Sequence, residues 1–254
     1  MAQVATSAQL KPETERAFKA YIAEAERLMQ PALHGDEPFL WSDADPERAR
    51  QVRQGKIVAQ FWPGQKPVRV SGGLIHDWIG AAFIPGATVE LTLKLVQDYD
   101  NHKNIYKPEV IDSKLLGREG NDFQIHLRLL KKKVITVVLD TYHDVRYASL
   151  DGKRWSCRSY TTRVEEVEDA GKATEKVLPR DAGHGFMWYL YSYWRFQEKQ
   201  GGVFIECRAI SLSRSIPAGL GWLIEPIVEK LPRESLINTL EATRQALRRE
   251  HSGG

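Results

Sequence analysis

A chain of 254 residues with 36 Lys and Arg against 33 Asp and Glu, the two signs interspersed along its length, lacks the basic excess that nucleic-acid binding requires. Hydrophobic residues make up 42% and charged residues 27%, and no run approaches the roughly 18 consecutive apolar residues of a membrane-spanning helix. A soluble globular protein is expected, at the upper edge of single-domain size and able to bury about three quarters of its unfolded surface, so a large core, or a core with a hollow, is within reach.

Residues Pro12 to Met29 place Ala17, Phe18, Tyr21, Ile22, Ala25 and Leu28 on a stripe of helical period, with Pro12 suited to the first turn. Pro31 to Pro67 is rich in proline, glycine and charge, with a short helical candidate over Asp45 to Gln54. From Val68 onward the pattern is sheet, interrupted by an apolar helix over Thr88 to Asp100. Strands follow over Val110 to Leu116, Phe123 to Leu129, Val134 to Tyr147, Trp155 to Val167, Gly185 to Glu198 and Val203 to Arg214. Several exceed the usual 5 or 6 residues, as a strongly curved sheet demands. Lys131, Lys132 and Lys133 read as a solvated turn. The chain ends in helix, Gly221 to Lys230 and then Glu234 to Arg249 after Pro232, with Leu236, Leu240, Thr243 and Leu247 along one face. An antiparallel sheet this long leaves one face needing a cover, and the terminal helix is available.

Two segments carry a resemblance. Gly72 to Leu116 is similar to the lead-in of START-like domains: a strand, an apolar helix, and an entry of the form Tyr106-Lys107-Pro108-Glu109-Val110-Ile111-Asp112-Ser113, with one residue inserted between the tyrosine and the proline. Gly185 to Leu236 resembles the penultimate hairpin and helix entry of bacterial START-like proteins of unassigned role. The chain thus resembles the START-like, or SRPBCC and Bet v 1-like, superfamily over Val68 to Arg249. The resemblance implies an α+β helix-grip fold, in which a curved antiparallel sheet wraps a long C-terminal helix. It divides the chain into an N-terminal helical extension, residues 1–67, packed on a helix-grip domain, residues 68–250. It further implies an internal cavity for a lipid, sterol, polyketide or other hydrophobic molecule. A dry void of about 500 Å³ at about 24 cal/mol per Å³ costs about 12 kcal/mol, as much as a whole domain's stability, so such a cavity holds water or ligand.

If Gln200 and Gly201 form a two-residue turn, Arg195 stands opposite Glu206, Trp194 opposite Cys207 and Tyr193 opposite Arg208. One face then carries Phe186, Trp188, Leu190, Ser192, Trp194 and Phe196 with Ile205, Cys207 and Ala209; the other carries Tyr191, Tyr193 and Arg195 with Phe204, Glu206 and Arg208. The first is assigned to the cavity, closed by Leu236 and Leu240, because it is free of formal charge and offers small residues. Arg195 and Glu206 then form an outer-face ion pair worth about 0 to 1 kcal/mol. With the other face inward they would instead orient a ligand headgroup. Ser215 to Leu236 combines glycine and proline with apolar Ile216, Leu220 and Trp222, a candidate gate at the cavity mouth or a transient contact with a membrane surface.

Catalytic signals are thin. In His76-Asp77 and His143-Asp144 the imidazole and the carboxylate point to opposite faces of a strand, and no nucleophile sits in a recognisable setting. Cys157, Cys207 and the scattered histidines have no metal-ligand spacing. The expectation is a binding or transfer protein without metal or cofactor. The rival is a polyketide cyclase or aromatase-like enzyme using Arg195, Glu206, Tyr191 or Tyr193. The first ten residues lack a charged segment leading into an apolar one, which points to the cytoplasm, or to the periplasm if Ala5 to Ala8 is the remnant of a cleaved signal.

Overall fold

The computed structural model describes residues 8–62, 67–132, 136–179, 182–215 and 221–252, apart from the side chains of 221–229 and 251–252. Among the described residues ten strands form one antiparallel sheet: β1 Val58–Phe61, β2 Val68–Val70, β3 Gly73–Pro85, β4 Val110–Glu119, β5 Asp122–Lys132, β6 Thr136–Ser149, β7 Arg154–Glu168, β8 Lys176–Val177, β9 Tyr189–Lys199 and β10 Gly202–Arg214. Their spatial order is β1-β3-β10-β9-β7-β6-β5-β4, with β2 beside β3 and β8 beside β7. The helices are α1 Pro12–His34, α2 Pro46–Arg53, α3 Val89–Val96, α4 His102–Ile105 and α5 Gly221–Ser252. A sheet gripping its C-terminal helix is the α+β helix-grip architecture.

The hairpin register is the one that turn arithmetic gives: Arg195 faces Glu206, Trp194 faces Cys207 and Tyr193 faces Arg208. Gln200 and Gly201 take φ of 55° and 75°, the left-handed pair of a type I′ turn, whose twist matches that of the flanking strands. The terminal helix differs from expectation, for α5 runs unbroken through Pro226 and Pro232. The apolar Thr88 to Asp100 stretch is broken instead: α3 ends at Val96 and a 3₁₀ turn over Tyr99–Asn101 leads on into α4. Lys131 is no solvated turn residue: its ammonium meets the Glu109 carboxylate and lies 2.6 Å from Ser235 Oγ on α5.

Both faces of the sheet are covered. On the inner face, Leu236, Leu240, Ala246 and Leu247 of α5 pack with Ala82 and Ile84 of β3, Ile205 of β10, Phe196 of β9 and the α3 side chains Val89 and Val96. Gly80 makes this docking close, since a Cβ there would stand 2.9 Å from Leu240 Cδ1 and 3.1 Å from Leu236 Cδ2. On the outer face, Phe18, Ile22 and Ala25 of α1 cover Ile75, Tyr189, Ile210 and Leu212. Phe39, Leu40, Trp41 and Val52 cover Ile79, Ala81, Phe83 and Phe204.

Charges are sealed under this outer cover. Arg208 donates Nε to Asp77 Oδ1 at 2.9 Å and Nη2 to Asp77 Oδ2 at 2.6 Å, and Tyr21 of α1 adds its hydroxyl to Oδ2 at 2.8 Å. Glu206, 2% exposed, accepts from the backbone N–H of Trp41 and of Ser42, each at 2.7 Å, while Arg195 donates to the Phe39 carbonyl at 2.7 Å. Arg195 and Glu206 therefore lie on the outer face, as the favoured reading of the sequence has them, but sealed under residues 39–42 and not as a weak ion pair in water. Residues 39–42 lie over them, and both satisfy backbone groups of that segment. Breaking a buried pair on one side strands the other charge, which costs about 3–5 kcal/mol. Asp77→Ala is expected to lose that much in urea unfolding; a loss under about 1 kcal/mol would show that α1 does not seal the pair from water.

Candidate functional site

Along β6, alternation puts Leu139, Thr141, His143, Val145 and Tyr147 on the inner face. Along β3 it puts His76, Trp78 and Ala82 there. Cross-strand partners then define a row over adjacent strands: Ser159 of β7 faces Ser192 of β9, Ser192 faces Ala209 of β10, and Ala209 faces Trp78 of β3. Three small side chains thus stand in line on adjacent strands. The neighbouring inner positions Cys157, Phe196, Ile205 and Cys207 are buried, yet Ser159, Leu190, Ser192, Trp194, Ala209 and Ser211 all keep part of their surface open. The inner face is thus closely packed where the C-terminal part of α5 docks and only partly buried around Ser192.

A hydrogen-bonded histidine borders this row. His143, 5% exposed, places Nδ1 3.1 Å from Ser159 Oγ and Nε2 3.0 Å from Thr141 Oγ1. Burial, assisted by His126, pushes its ring down to about 3, so it is neutral at pH 7. A ring that holds protons so weakly is a poor base near neutrality. The pairing of β6 with β7 slips beside it, Tyr142 facing Arg163 and His143 facing Thr161, which leaves Thr162 as an extra residue. Such a bulge bends the strand and re-aims its side chains. On β3, burial pushes His76 down to about 4; its Nε2 lies 3.1 Å from Ser213 Oγ. His76 Nδ1 and Trp78 Nε1 have no hydrogen-bond partner among the described residues.

Of the residues singled out from sequence, Trp194, Phe196, Ile205, Cys207, Ala209, Leu236 and Leu240 fall in one inner-face cluster. Ser192 and Leu190 share that face by strand parity. Trp188 and Phe186 do not follow the same parity. Gly185 turns the chain at φ 71° and β9 starts only at Tyr189, so alternation does not extend back to them. Trp188 packs with the outer cluster of Phe18 and Tyr189, and Phe186 sits against His184 with its N–H on Glu166. Tyr191 and Tyr193 face α1, where Tyr193 donates to Glu26. The candidate gate residues Ile216 and Leu220 lie outside the described residues, and Trp222 belongs to the first turn of α5, whose side chains are not described.

From sequence His143 reads as a structural or surface residue; the signal that places it inward is its position in the run Leu139, Thr141, His143, Val145. A separate cleft of about 290 Å³ opens on the surface at the β9–β10 turn, bounded by Thr88, Lys153 and Gln200, away from this row. No helix among the described residues is long and apolar enough to cross a membrane.

No family model and no curated protein matches the chain. Among solved structures it is similar to a STAR-related lipid transfer protein from Xanthomonas axonopodis, with 20% identity over 72% of this chain and 98% of the other and a TM-score of 0.48. A START superfamily protein from Mycobacterium smegmatis shares 13% identity over 68% of this chain and 98% of its own, with a TM-score of 0.48. An aromatase/cyclase from Streptomyces sp. R1128 shares 10% over 69% and 94%, with a TM-score of 0.46. At TM-scores below 0.5 the helix-grip assignment rests on strand order, register and helix docking in the chain itself.

Three buried neutral histidines give the fold an acid limit. His76 and His102 are pushed down to about 4 and His143 to about 3, all by burial first, from an ordinary value near 6.5. The unfolded chain binds protons below pH 6.5 that the folded chain refuses, so stability is complete above that pH and falls as pH drops toward 4, by up to about 1.4 kcal/mol per pH unit per ring. Urea midpoints measured from pH 7 to 4.5 should fall accordingly, and His143→Asn should flatten the slope by one ring's share. An unchanged slope in the variant would show that His143 titrates normally.

Proposed function

We propose that this chain binds a hydrophobic small molecule, without covalent chemistry, in the space between the inner face of β7, β9 and β10 and α5. The row Ser159, Ser192 and Ala209 carries this reading. These are central-strand positions on the face the closing helix covers, where a filled core would place branched or aromatic side chains at no exposure, as it does at Val203 and Ile205. Trp194 and Leu190 give the space apolar walls, and Ser192, His143 and Ser159 give it a few convergent polar groups. That mixture suits a small-molecule site. The two histidines on this face do not favour an enzyme, since both are held neutral and weakly basic, and the groups that a cyclase reading invoked, Arg195, Glu206, Tyr191 and Tyr193, lie on the other face.

Pyrene, an uncharged polycyclic hydrocarbon whose emission reports its surroundings, is a direct probe. Wild-type protein is expected to take it up with a saturable shift in the emission bands. Ser192→Phe, which fills the row with a ring at an overpacking cost of about 1–3 kcal/mol, is expected to weaken uptake at least about tenfold while still unfolding cooperatively. Absence of uptake by the wild type, or equal uptake by the folded variant, would remove the reading.

A further inference from the structure

We propose that the ligand carries a hydroxyl group on its apolar frame, placed between Ser159 and Ser192, with Ser159 fixed as a hydrogen-bond acceptor by a relay through His143 and Thr141. This rests on the binding reading above and adds the polarity of the bound group.

The relay emerges when each proton is assigned in turn. Thr141 donates its hydroxyl to the Leu127 carbonyl at 2.9 Å. Its Oγ1 can then only accept from His143 Nε2, so the neutral ring carries its proton on Nε2 and leaves Nδ1 bare. Ser159, 3.1 Å from that bare nitrogen, donates its own proton to it. The lone pairs of Ser159 are then all that it offers to the space in front of it. Ser192, its cross-strand partner, is the complement. It accepts the Trp194 indole N–H at 3.1 Å, and its own proton has no acceptor among the described residues. One neighbour accepts and the other donates. A hydroxyl does both at once, an ether or ketone meets only Ser192, and a carboxylate would set its lone pairs against those of Ser159.

Two further observations agree. Trp78 stands opposite Ala209 in the same row; it is 5% exposed and its indole N–H has no hydrogen-bond partner among the described residues. None of Thr141, His143, Ser159, Ser192, Ala209 and Ser211 is charged, so among these described residues an anionic or cationic headgroup would find no counter-ion.

The test compares pyrene, 1-hydroxypyrene and 1-methoxypyrene at pH 7 by fluorescence titration, with wild type, Ser159→Ala and Thr141→Val. In the wild type 1-hydroxypyrene should bind about tenfold more tightly than 1-methoxypyrene, the worth of one or two hydrogen bonds in a desolvated site. Ser159→Ala should bring the affinities for 1-hydroxypyrene and 1-methoxypyrene, compared within that one variant, to within about twofold of each other. Long-range proton–nitrogen NMR should show His143 protonated on Nε2 in the wild type. In Thr141→Val the proton should move to Nδ1, Ser159 should become a donor, and the preference for the hydroxyl should fall. Equal binding of the two substituted pyrenes by a wild type that takes up pyrene, or an Nδ1-protonated His143, would overturn the proposal while leaving the binding reading intact. If none of the three probes binds, the binding reading fails and this proposal with it.

Discussion

The burial of the sheet on both faces is the constraint on which the rest of the structure depends. A strand exposed on one side can carry charge there freely, but here Asp77, Glu206 and Arg208 are held beneath α1 and residues 39–42, and charges out of water must find partners. Arg208 clasps Asp77 with help from Tyr21 of α1, and Glu206 takes the N–H groups that open the 3₁₀ turn at Trp41. These contacts define where the N-terminal segment sits. With the outer face closed by its own chain, the inner face is where the proposed ligand site lies.

On that inner face the sequence divides the labour by side-chain size. Gly80 lets α5 approach β3 closely enough for Leu236 and Leu240 to reach Ile84, Ile205 and Phe196, and this half packs as an ordinary core. Toward Ser192 the same strands change to serine and alanine, and solvent reaches them. Small polar side chains cost little to leave partly open and hold no apolar surface in water. His143 serves this economy: burial makes it neutral, and its two nitrogens are satisfied by Thr141 and Ser159.

The helix-grip order was legible because its signals are periodic and local. Alternation marked the long strands, a glycine turn set the β9–β10 register, and an apolar stripe marked α5. Legibility stopped where tertiary contacts decide. Parity assigned Trp188 to the inner face and failed because β9 begins one residue later, after the turn at Gly185. Arg195 and Glu206 read as a surface pair because nothing in a linear pattern says that residues 39–42 return to cover them. Pro232 reads as a helix start in isolation, yet α5 continues through it, since the docking of Leu236, Leu240 and Leu247 fixes the helix more strongly than one missing hydrogen bond weakens it. His143 escaped notice as a site residue because its value lies in a tautomer set by two hydroxyls from neighbouring strand positions.

The central claim, that the space over Ser159, Ser192 and Ala209 accepts an apolar molecule, is tested most directly by diffraction from crystals grown with 1-bromopyrene, using the anomalous signal of bromine to locate the probe. The account predicts one ordered bromine site inside the molecule, with the ring system in van der Waals contact, within about 4 Å, of Ser192 and Ala209. Bromine found only on the outer surface, with side chains of α5 filling the space over the row, would contradict it.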